Sequence, residues 1–307
     1  MFLLLKYTLL YTVVLMMVAL GGMFSERSGI INIALEGIMV IGGLMGVIAI
    51  QMMPAGASAF SIVLVSVLAA GIAGMLYAGL LAFASINLNA DQTIGGTALN
   101  LLATALAMVI AKGVNHSASA KLDYSNRVFV YDFGPLTVNV FLFIGLVALI
   151  LSYIVLYKTR LGLRLRACGE HPQAADSVGI NVYKMRYAGV LISGFLGGIG
   201  GLAYTLAAGS GFNSSVGGYG FLALAVMIFG NWKPLPILAS SLFFALFKVI
   251  AAYSASLPFL PKFDGVKDVS NFYQMLPYIV TMIILIFTSK NSQAPKAEGI
   301  PYDKGSR

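Results

Sequence analysis

The residues with the most distinctive chemistry in this sequence are polar side chains inside apolar stretches. Glu36 lies within the apolar stretch 29–50, and Asn32 precedes it by four residues, which would place both side chains on one face of a helix. Inserting an ionised residue at the centre of a membrane helix costs about 3 kcal/mol, so such residues rarely occur there without a function. The pair predicts the polar lining of a solute path, with Glu36 at its gate.

A purely structural role is the alternative for each of these polar side chains. Glu36 could lie close enough to the cytoplasmic edge to pair with Arg27 or with a neighbouring helix. Asn100 lies within another apolar stretch and is a third candidate for the path, but an interhelical hydrogen bond is the simpler role for a single amide there.

The sequence contains no recognisable set of catalytic or metal-binding side chains. No nucleophile, base and orienting group gather on one apolar stretch. Cys168 is the single cysteine, and His116 and His171 lie in different loops, so neither a disulfide nor a metal site is expected. The pattern G-x-x-x-x-G-K-[ST] is absent, which excludes ATP binding by a P-loop. We therefore expect a non-catalytic chain without a cofactor, and any ATP hydrolysis must come from another polypeptide.

A glycine-rich run at residues 193–201 lies inside an apolar stretch. Gly194 with Gly198, and Gly197 with Gly201, form two overlapping G-x-x-x-G pairs. Such pairs let a second helix approach closely. The run therefore predicts helix packing, which we favour over a ligand-binding loop.

The long polar segment 158–186 interrupts the apolar pattern. It carries six of the 19 Lys and Arg residues, and such an excess beside apolar spans marks the cytoplasmic side of a membrane. A short helix is predicted at 172–178, with Pro172 suited to its first position and Gly179 to the left-handed residue past its end. A loop this ordered is expected to dock on another molecule. The sequence places three residues on one face of that helix and lets Ile180 fold back on it: Ala174, Ala175 and Val178.

Composition identifies the elements that must position these residues. The chain is 59% hydrophobic and only 10% charged, against about 25% charged in soluble domains, which predicts an all-α polytopic membrane protein. Stretches of the length that a bilayer requires number about nine, with one more or fewer. The seventh and ninth are short and interrupted, which suggests broken or re-entrant segments. The stretches are 3–23, 29–50, 58–83, 93–111, 136–157, 187–208, 217–230, 234–253 and 274–288.

With segment 158–186 in the cytoplasm, the alternation of spans places the other loops. The N-terminus and the loops near 113–135 and 254–273 are predicted outside. Residues 1–290 are predicted to form one transmembrane domain, followed by a short flexible cytoplasmic tail at 291–307. The net charge of +8 arises from basic residues at span ends, where they meet anionic lipid, so the expected partner is a bilayer and not a nucleic acid.

Segment 207–220 joins two apolar spans through glycine, serine and asparagine. Ser210, Gly211 and Asn213 loosely repeat the residue types at 28–32. A pair of interrupted spans at corresponding positions is typical of transporters built from repeats. An exposed turn is the alternative.

Three stretches resemble a known family. GLRLRACGEHPQAADSVGI at 162–180 is similar to the cytoplasmic coupling loop of permease subunits of bacterial ABC importers for branched-chain amino acids, ribose-type sugars and nucleosides. SERSGIINIALEGIMVIGG at 25–43 resembles the start of these permeases, most closely the nucleoside branch. DQTIGGTALNLL at 91–102 is a third match, in the expected order along the chain.

The resemblance implies a permease in the bacterial cell membrane that works with a second, related permease subunit. It further implies a cytoplasmic ATPase that binds ATP and Mg²⁺, and an external substrate-binding protein. The implied solute is a nucleoside, with branched-chain amino acids and simple sugars as alternatives. The implied contacts with the ATPase are Gly169, Glu170, Pro172, Ala174, Ala175, Gly179 and Ile180.

An ion-coupled secondary transporter is a second class of function. Proteins of that class usually carry several intramembrane carboxylates or cation ligands, whereas Glu36 is nearly alone in this sequence. An ordered cytoplasmic helix has a role only in the ABC importer, which is therefore the favoured prediction.

Overall fold

The computed structural model describes residues 2–54, 56–116, 119–125, 127–133, 136–253 and 294–305, with a few single positions between 275 and 286. Within these residues it is built from α-helices and one small antiparallel hairpin of strands β1 (Val130–Phe133) and β2 (Leu136–Asn139). The helices are α1 (Phe2–Arg27), α2 (Leu35–Gln51), α3 (Ala59–Asn87), α4 (Gln92–Asn115), α5 (Val140–Lys158), α6 (Arg160–Glu170), α7 (Pro172–Ser177), α8 (Val182–Ala208), α9 (Tyr219–Phe229) and α10 (Pro234–Ala252).

Six helices of the described part are long and apolar enough to cross a membrane: α1, α3, α4, α5, α8 and α10. Helices α2 and α9 are apolar but shorter, with 17 and 11 residues. The predicted span at 274–288 lies outside the described residues, apart from single positions. The chain is therefore a multi-pass membrane protein, but the predicted number of nine spans is not confirmed.

Two predicted spans begin as non-helical chain. The stretch 29–50 becomes helical only at Leu35, and α9 follows a non-helical stretch at 209–218. The first stretch starts with a sharp bend at Gly29, with φ +98°. The second starts at Gly209, with φ +65°, and bends again at Gly211, with φ +88°. Backbone in this left-handed region carries no steric penalty only for glycine.

The two broken spans lie in two similarly packed halves. Helices α1 and α8 pack along each other; α2 and α3 pack on α8, while α9 and α10 pack on α1. The α1–α3 half thus has its counterpart in α8–α10. Such repeats with discontinuous helices are a recurrent architecture of transporters.

Glycines bring α2, α3 and α8 into backbone contact. A Cβ atom on Gly198 would lie 2.2 Å from the carbonyl oxygen of Ala70, and one on Gly201 would lie 1.9 Å from that of Met39. A Cβ atom on Gly194 would lie 2.5 Å from Ala78 of α3, whereas one on Gly197 would meet only side chains of α2, Ile38 at 3.0 Å and Leu35 at 3.7 Å. The glycine run thus lies at a helix contact, and no ligand loop forms there.

The loops separate into two ends of the bundle. At the end that carries α6 and α7, which we call the coupling end, Arg27 lies 3.7 Å from Glu170 and donates hydrogen bonds to the carbonyl of Trp232. At the opposite end Leu122 and Phe212 form a backbone bridge. This separation agrees with the alternation predicted from charge.

The glycine contact generates a stability prediction. We expect Gly198→Ala to destabilise the solubilised protein by about 1–3 kcal/mol, because the backbone of α3 cannot yield to the new methyl group. Gly79→Ala is the matched control, since its nearest atom, on Leu191, is 3.9 Å away. Thermal unfolding in detergent measures both. Equal melting temperatures for the two variants would contradict the packing interpretation.

Candidate functional site

The first turn of α2 and the first turn of α9 meet at Glu36. Its Oε1 accepts a hydrogen bond from the Gly218 N–H at 2.8 Å, and its Oε2 accepts one from the Gly220 N–H at 2.7 Å. The carboxylate thus satisfies free N–H groups at the start of α9, where no backbone carbonyl is available. Its negative charge is also favoured by the dipoles of both helices. The level of this junction is near the middle of α8, because Leu35 and Ile38 face Gly197.

Asn100 binds the backbone on both sides of the start of α2. Its Oδ1 accepts from the Gly37 N–H at 2.7 Å, and its Nδ2 donates to the Ile33 carbonyl at 2.9 Å. Both backbone groups would otherwise lack a partner inside the bilayer, where an unsatisfied polar group costs several kcal/mol. Asn100 is therefore an interhelical clamp on the broken span, and the structure gives it no direct contact with a path.

Asn32 does not share a helical face with Glu36, which corrects the prediction. It lies in the non-helical stretch before α2, fully buried, and donates to the Ser193 hydroxyl at 2.8 Å. The helix was expected to begin at residue 29. It begins at Leu35, and Asn100 supplies hydrogen-bond partners for the backbone on both sides of that start, at Ile33 and Gly37.

Of the two alternative partners of Glu36, Arg27 is not found beside it, whereas a neighbouring helix, α9, does provide its hydrogen bonds. Arg27 faces Glu170 and Trp232 at the coupling end, while Glu36 lies at the junction deeper in the bundle. The cation that interacts electrostatically with Glu36 is Lys248 of α10. The sequence did not predict a role for this lysine, because only acidic and amide side chains inside apolar stretches were candidates.

Helix α7 begins at Pro172 and ends at Ser177, one residue before the predicted end. Gly179 follows with φ +83°, as its sequence position predicts. The Ile180 N–H donates to the Ala175 carbonyl, and the Gly179 N–H donates to that of Asp176. This pair of bonds is the Schellman motif, which satisfies the last carbonyls of a helix.

The predicted shared face of α7 is divided between two surroundings. Ala175 is buried at 3% exposure against Cys168 and Val182, whereas Ala174 is exposed and Val178 is 74% exposed. A helix this short has one side against its own chain and the other toward solvent. The surface available to a partner is therefore formed by Ala174 and Val178, and Ala175 anchors the helix.

Two elements of the coupling end were not predicted. Helix α6 precedes α7, and Gly169 at its end packs so closely that a Cβ atom would lie 2.3 Å from the Arg27 carbonyl. The tail was expected to be flexible, yet residues 294–305 lie against this surface. The Ala297 N–H donates to the Gly169 carbonyl at 2.8 Å, and the Gly299 N–H donates to that of Gly29 at 3.2 Å.

The carboxyl groups of Glu26 and Glu298 form a pair that connects the tail to the coupling end. Glu26, 3% exposed, accepts a hydrogen bond from the Trp232 indole N–H at 2.6 Å and is hydrogen-bonded to Glu298. Two carboxyl groups can share such a bond only when one holds a proton. Burial raises the pKa of Glu298 above its ordinary value, although the hydrogen bond with Glu26 and the charge of Arg27 oppose the shift.

The described part of the chain contains no group of three His, Cys, Asp or Glu side chains that could hold a metal ion. The polar residues that the structure brings together are backbone-binding groups at the helix junction and charged groups at the coupling end. Such an arrangement can hold two interrupted helices in register and transmit movement of the coupling end to them.

Known proteins resemble this chain over most of its length. Residues 4–288 match the family described as the branched-chain amino acid transport system / permease component. Nucleoside ABC transporter permease protein NupC of Lactococcus lactis subsp. cremoris is 40% identical over 96% of this chain and 95% of its own. Guanosine ABC transporter permease protein NupQ of Bacillus subtilis is 40% identical over 98% and 96%. Putative glucose ABC transporter permease protein TsgC13 of Haloferax volcanii is 31% identical over 83% and 78%.

The helix junction generates a prediction for Glu36. We expect Glu36→Ala to lower solute uptake strongly while the protein still inserts, because it leaves the part-buried N–H groups of Gly218 and Gly220 unpaired at about 1–3 kcal/mol each. Glu36→Gln should have a smaller effect, since its single amide oxygen still accepts one bond. Uptake is measured in membranes with matched protein levels. Wild-type uptake by Glu36→Ala would contradict the role of the junction.

The carboxyl pair generates a pH prediction. Because the pKa of Glu298 is raised when the tail is docked, docking is favoured at low pH and weakens as pH rises through that raised pKa. Trp232 is the single tryptophan of the chain and contacts this pair, so its emission should shift to longer wavelength as the tail leaves. Glu298→Gln should abolish the shift over the same range. An identical pH profile in both proteins would refute the shared proton.

Proposed function

Since this chain belongs to the family of permease components of branched-chain amino acid transport systems, we propose that it is the transmembrane subunit of an ATP-driven nucleoside importer. The observation that carries this proposal is the 40% identity with NupC and NupQ over almost the whole of all three chains. The names of those relatives specify a nucleoside and guanosine as solutes. The glucose relative is less similar and covers less of the chain.

The geometry supports a division of labour between two parts of the chain. The exposed residues Ala174 and Val178 offer a small apolar surface on which an ATPase can dock. Movement there would reach the transmembrane region through Gly169 and Arg27, which are in backbone contact, and then through residues 28–34, which lead directly to α2. The backbone hydrogen bonds of a continuous helix are absent at the break, so a broken helix can rotate there without breaking any of them.

The ATPase is a separate subunit in this proposal, and the permease works as a pair. A second permease, related but different in sequence, would lie beside this chain and complete the path. An external binding protein would deliver the nucleoside to the opposite end of the bundle. Closure of the ATPases would bring the two α7 helices together and change the side to which the path opens.

Uptake by the reconstituted complex tests the proposed function. The complex is purified with its own ATPase, partner permease and binding protein, and is placed in liposomes. We expect ATP-dependent uptake of radiolabelled guanosine that excess nucleosides inhibit and that leucine and glucose do not. Uptake of leucine or glucose without inhibition by nucleosides would assign a different solute. Uptake that follows an ion gradient and needs no ATP would instead identify a secondary transporter.

The docking surface generates a prediction for α7. Ala174→Arg should leave this chain folded but weaken the contact with the ATPase by about 2 kcal/mol or more, because it forces a charge into a desolvated contact. The expected result is loss of ATPase from the purified complex. Ala174→Ser is the matched small-residue control and should retain it.

Ala175→Arg distinguishes docking from folding. Ala175 is buried within its own chain, so this change should lower the thermal stability of the isolated permease, which Ala174→Arg should not. Normal ATPase retention by Ala174→Arg would show that α7 is only a solvated linker.

A further inference from the structure

Three tyrosines from three helices meet beside the helix junction. The Tyr219 ring at the start of α9 lies 5.4 Å from Tyr11 of α1 and 4.7 Å from Tyr204 of α8, measured between ring centroids. The ammonium group of Lys248 lies 5.2 Å from the centre of the Tyr219 ring. Tyr219 is thus the centre of the cluster, and its neighbours along the chain, Gly218 and Gly220, are the residues that bind Glu36.

The aromatic row continues toward the opposite end of the bundle. Tyr7 lies one turn before Tyr11 on α1 and is 5.1 Å from Tyr253, which follows α10. A cavity of about 160 Å³ opens beside Tyr7 and is lined in part by Lys6, Val138 and Gly209. Aromatic side chains therefore extend from this cavity to Tyr219, whose neighbours bind Glu36.

The exposure of these residues separates them from an ordinary core. Each of the three clustered tyrosines is partly accessible, as are Glu36 and Lys248. Facing lipid would expose a carboxylate, an ammonium group and phenol hydroxyls to hydrocarbon, which is unfavourable for the charged groups in particular. The accessible side of the cluster therefore faces water or a polar solute.

We propose that Tyr11, Tyr204 and Tyr219 form a stacking site for the base of a nucleoside in transit. Glu36 lies beside the base and accepts hydrogen bonds from the solute. A carboxylate has about four lone-pair positions, and backbone N–H groups of Gly218, Gly220 and Phe221 bind to this one, which leaves acceptor capacity for the solute. This inference rests on the proposed function and assigns it a place in the chain.

The chemistry of the cluster fits a nucleoside better than a branched-chain amino acid. Every nucleobase has a flat π-face that stacks on aromatic side chains irrespective of its pattern of donors and acceptors. A branched-chain amino acid carries an ammonium and a carboxylate close together and an aliphatic side chain, and has no flat face. A tyrosine cluster beside a single acid meets the needs of a base and a hydroxylated sugar.

The test uses the complete reconstituted complex supplied with saturating, loaded binding protein, so that affinity for the binding protein does not limit the rate. We expect Tyr219→Leu to lower the number of nucleosides transported per ATP on the order of tenfold. The decrease should be larger for guanosine than for uridine, because a purine offers more surface for stacking. Tyr219→Phe keeps the ring and should stay near wild type.

Tyr153→Leu is the matched control, because Tyr153 belongs to another tyrosine pair, with Tyr157 on α5, whose ring centroids are 5.4 Å apart. It should transport like the wild type. A direct readout is photolabelling of the wild-type complex with an 8-azido purine nucleoside. Label is expected on peptides that contain Tyr11, Tyr204 or Tyr219, and excess guanosine should prevent it.

The outcomes separate the two proposals. In one outcome the wild type transports nucleosides, while Tyr219→Leu leaves the number transported per ATP unchanged or lowers it equally for guanosine and uridine. That result would overturn the stacking site and leave the proposed function intact. Label confined to other peptides would overturn it as well. A wild-type complex that neither transports nor binds nucleosides would overturn the proposed function itself.

Discussion

The rest of this structure depends on one constraint, which is that every backbone N–H and C=O inside a bilayer needs a partner within the protein. Two spans of this chain violate the simplest solution, a continuous helix, because α2 and α9 each begin at a break. The carboxylate of Glu36 and the amide of Asn100 supply the missing partners for the two breaks. Neither side chain can be understood apart from the backbone it satisfies.

Close packing makes these breaks possible. The α2, α3 and α8 helices approach to backbone contact at Gly42, Gly74 and Gly198, and Gly220 packs equally closely on the backbone of Glu36, so these contacts leave no space for lipid. At the coupling end the chain is equally tight, with Gly169 against Arg27 and the tail hydrogen-bonded to the same residues. A displacement of α7 would therefore be transmitted through tightly packed backbone to residues 28–34, which precede α2. In the proposed function, this continuity would couple ATP hydrolysis to the path.

The sequence predicted features that depend on local chemistry. Pro172 and Gly179 correctly mark the two ends of α7 to within one residue, and composition predicted a helical membrane protein. Features that depend on distant partners escaped prediction. Glu36 was expected to face Asn32 along a helix, but residues far along the chain, at 218 and 220, determine its role. The burial of Ala175 likewise depends on Cys168 and on the tail, which local periodicity cannot report.

Accessibility of the junction to water tests the central claim most directly. Cys168 is fully buried, and burial raises the pKa of its thiol to about 11, so the native cysteine should not react. A single cysteine is introduced at Tyr219, and another at the exposed apolar residue Leu151 of α5 as control. Our account predicts that a membrane-impermeant thiol reagent labels position 219 in one nucleotide state and not in the other, and never labels position 151. Absence of label at 219 in both states would contradict a solute path through this junction.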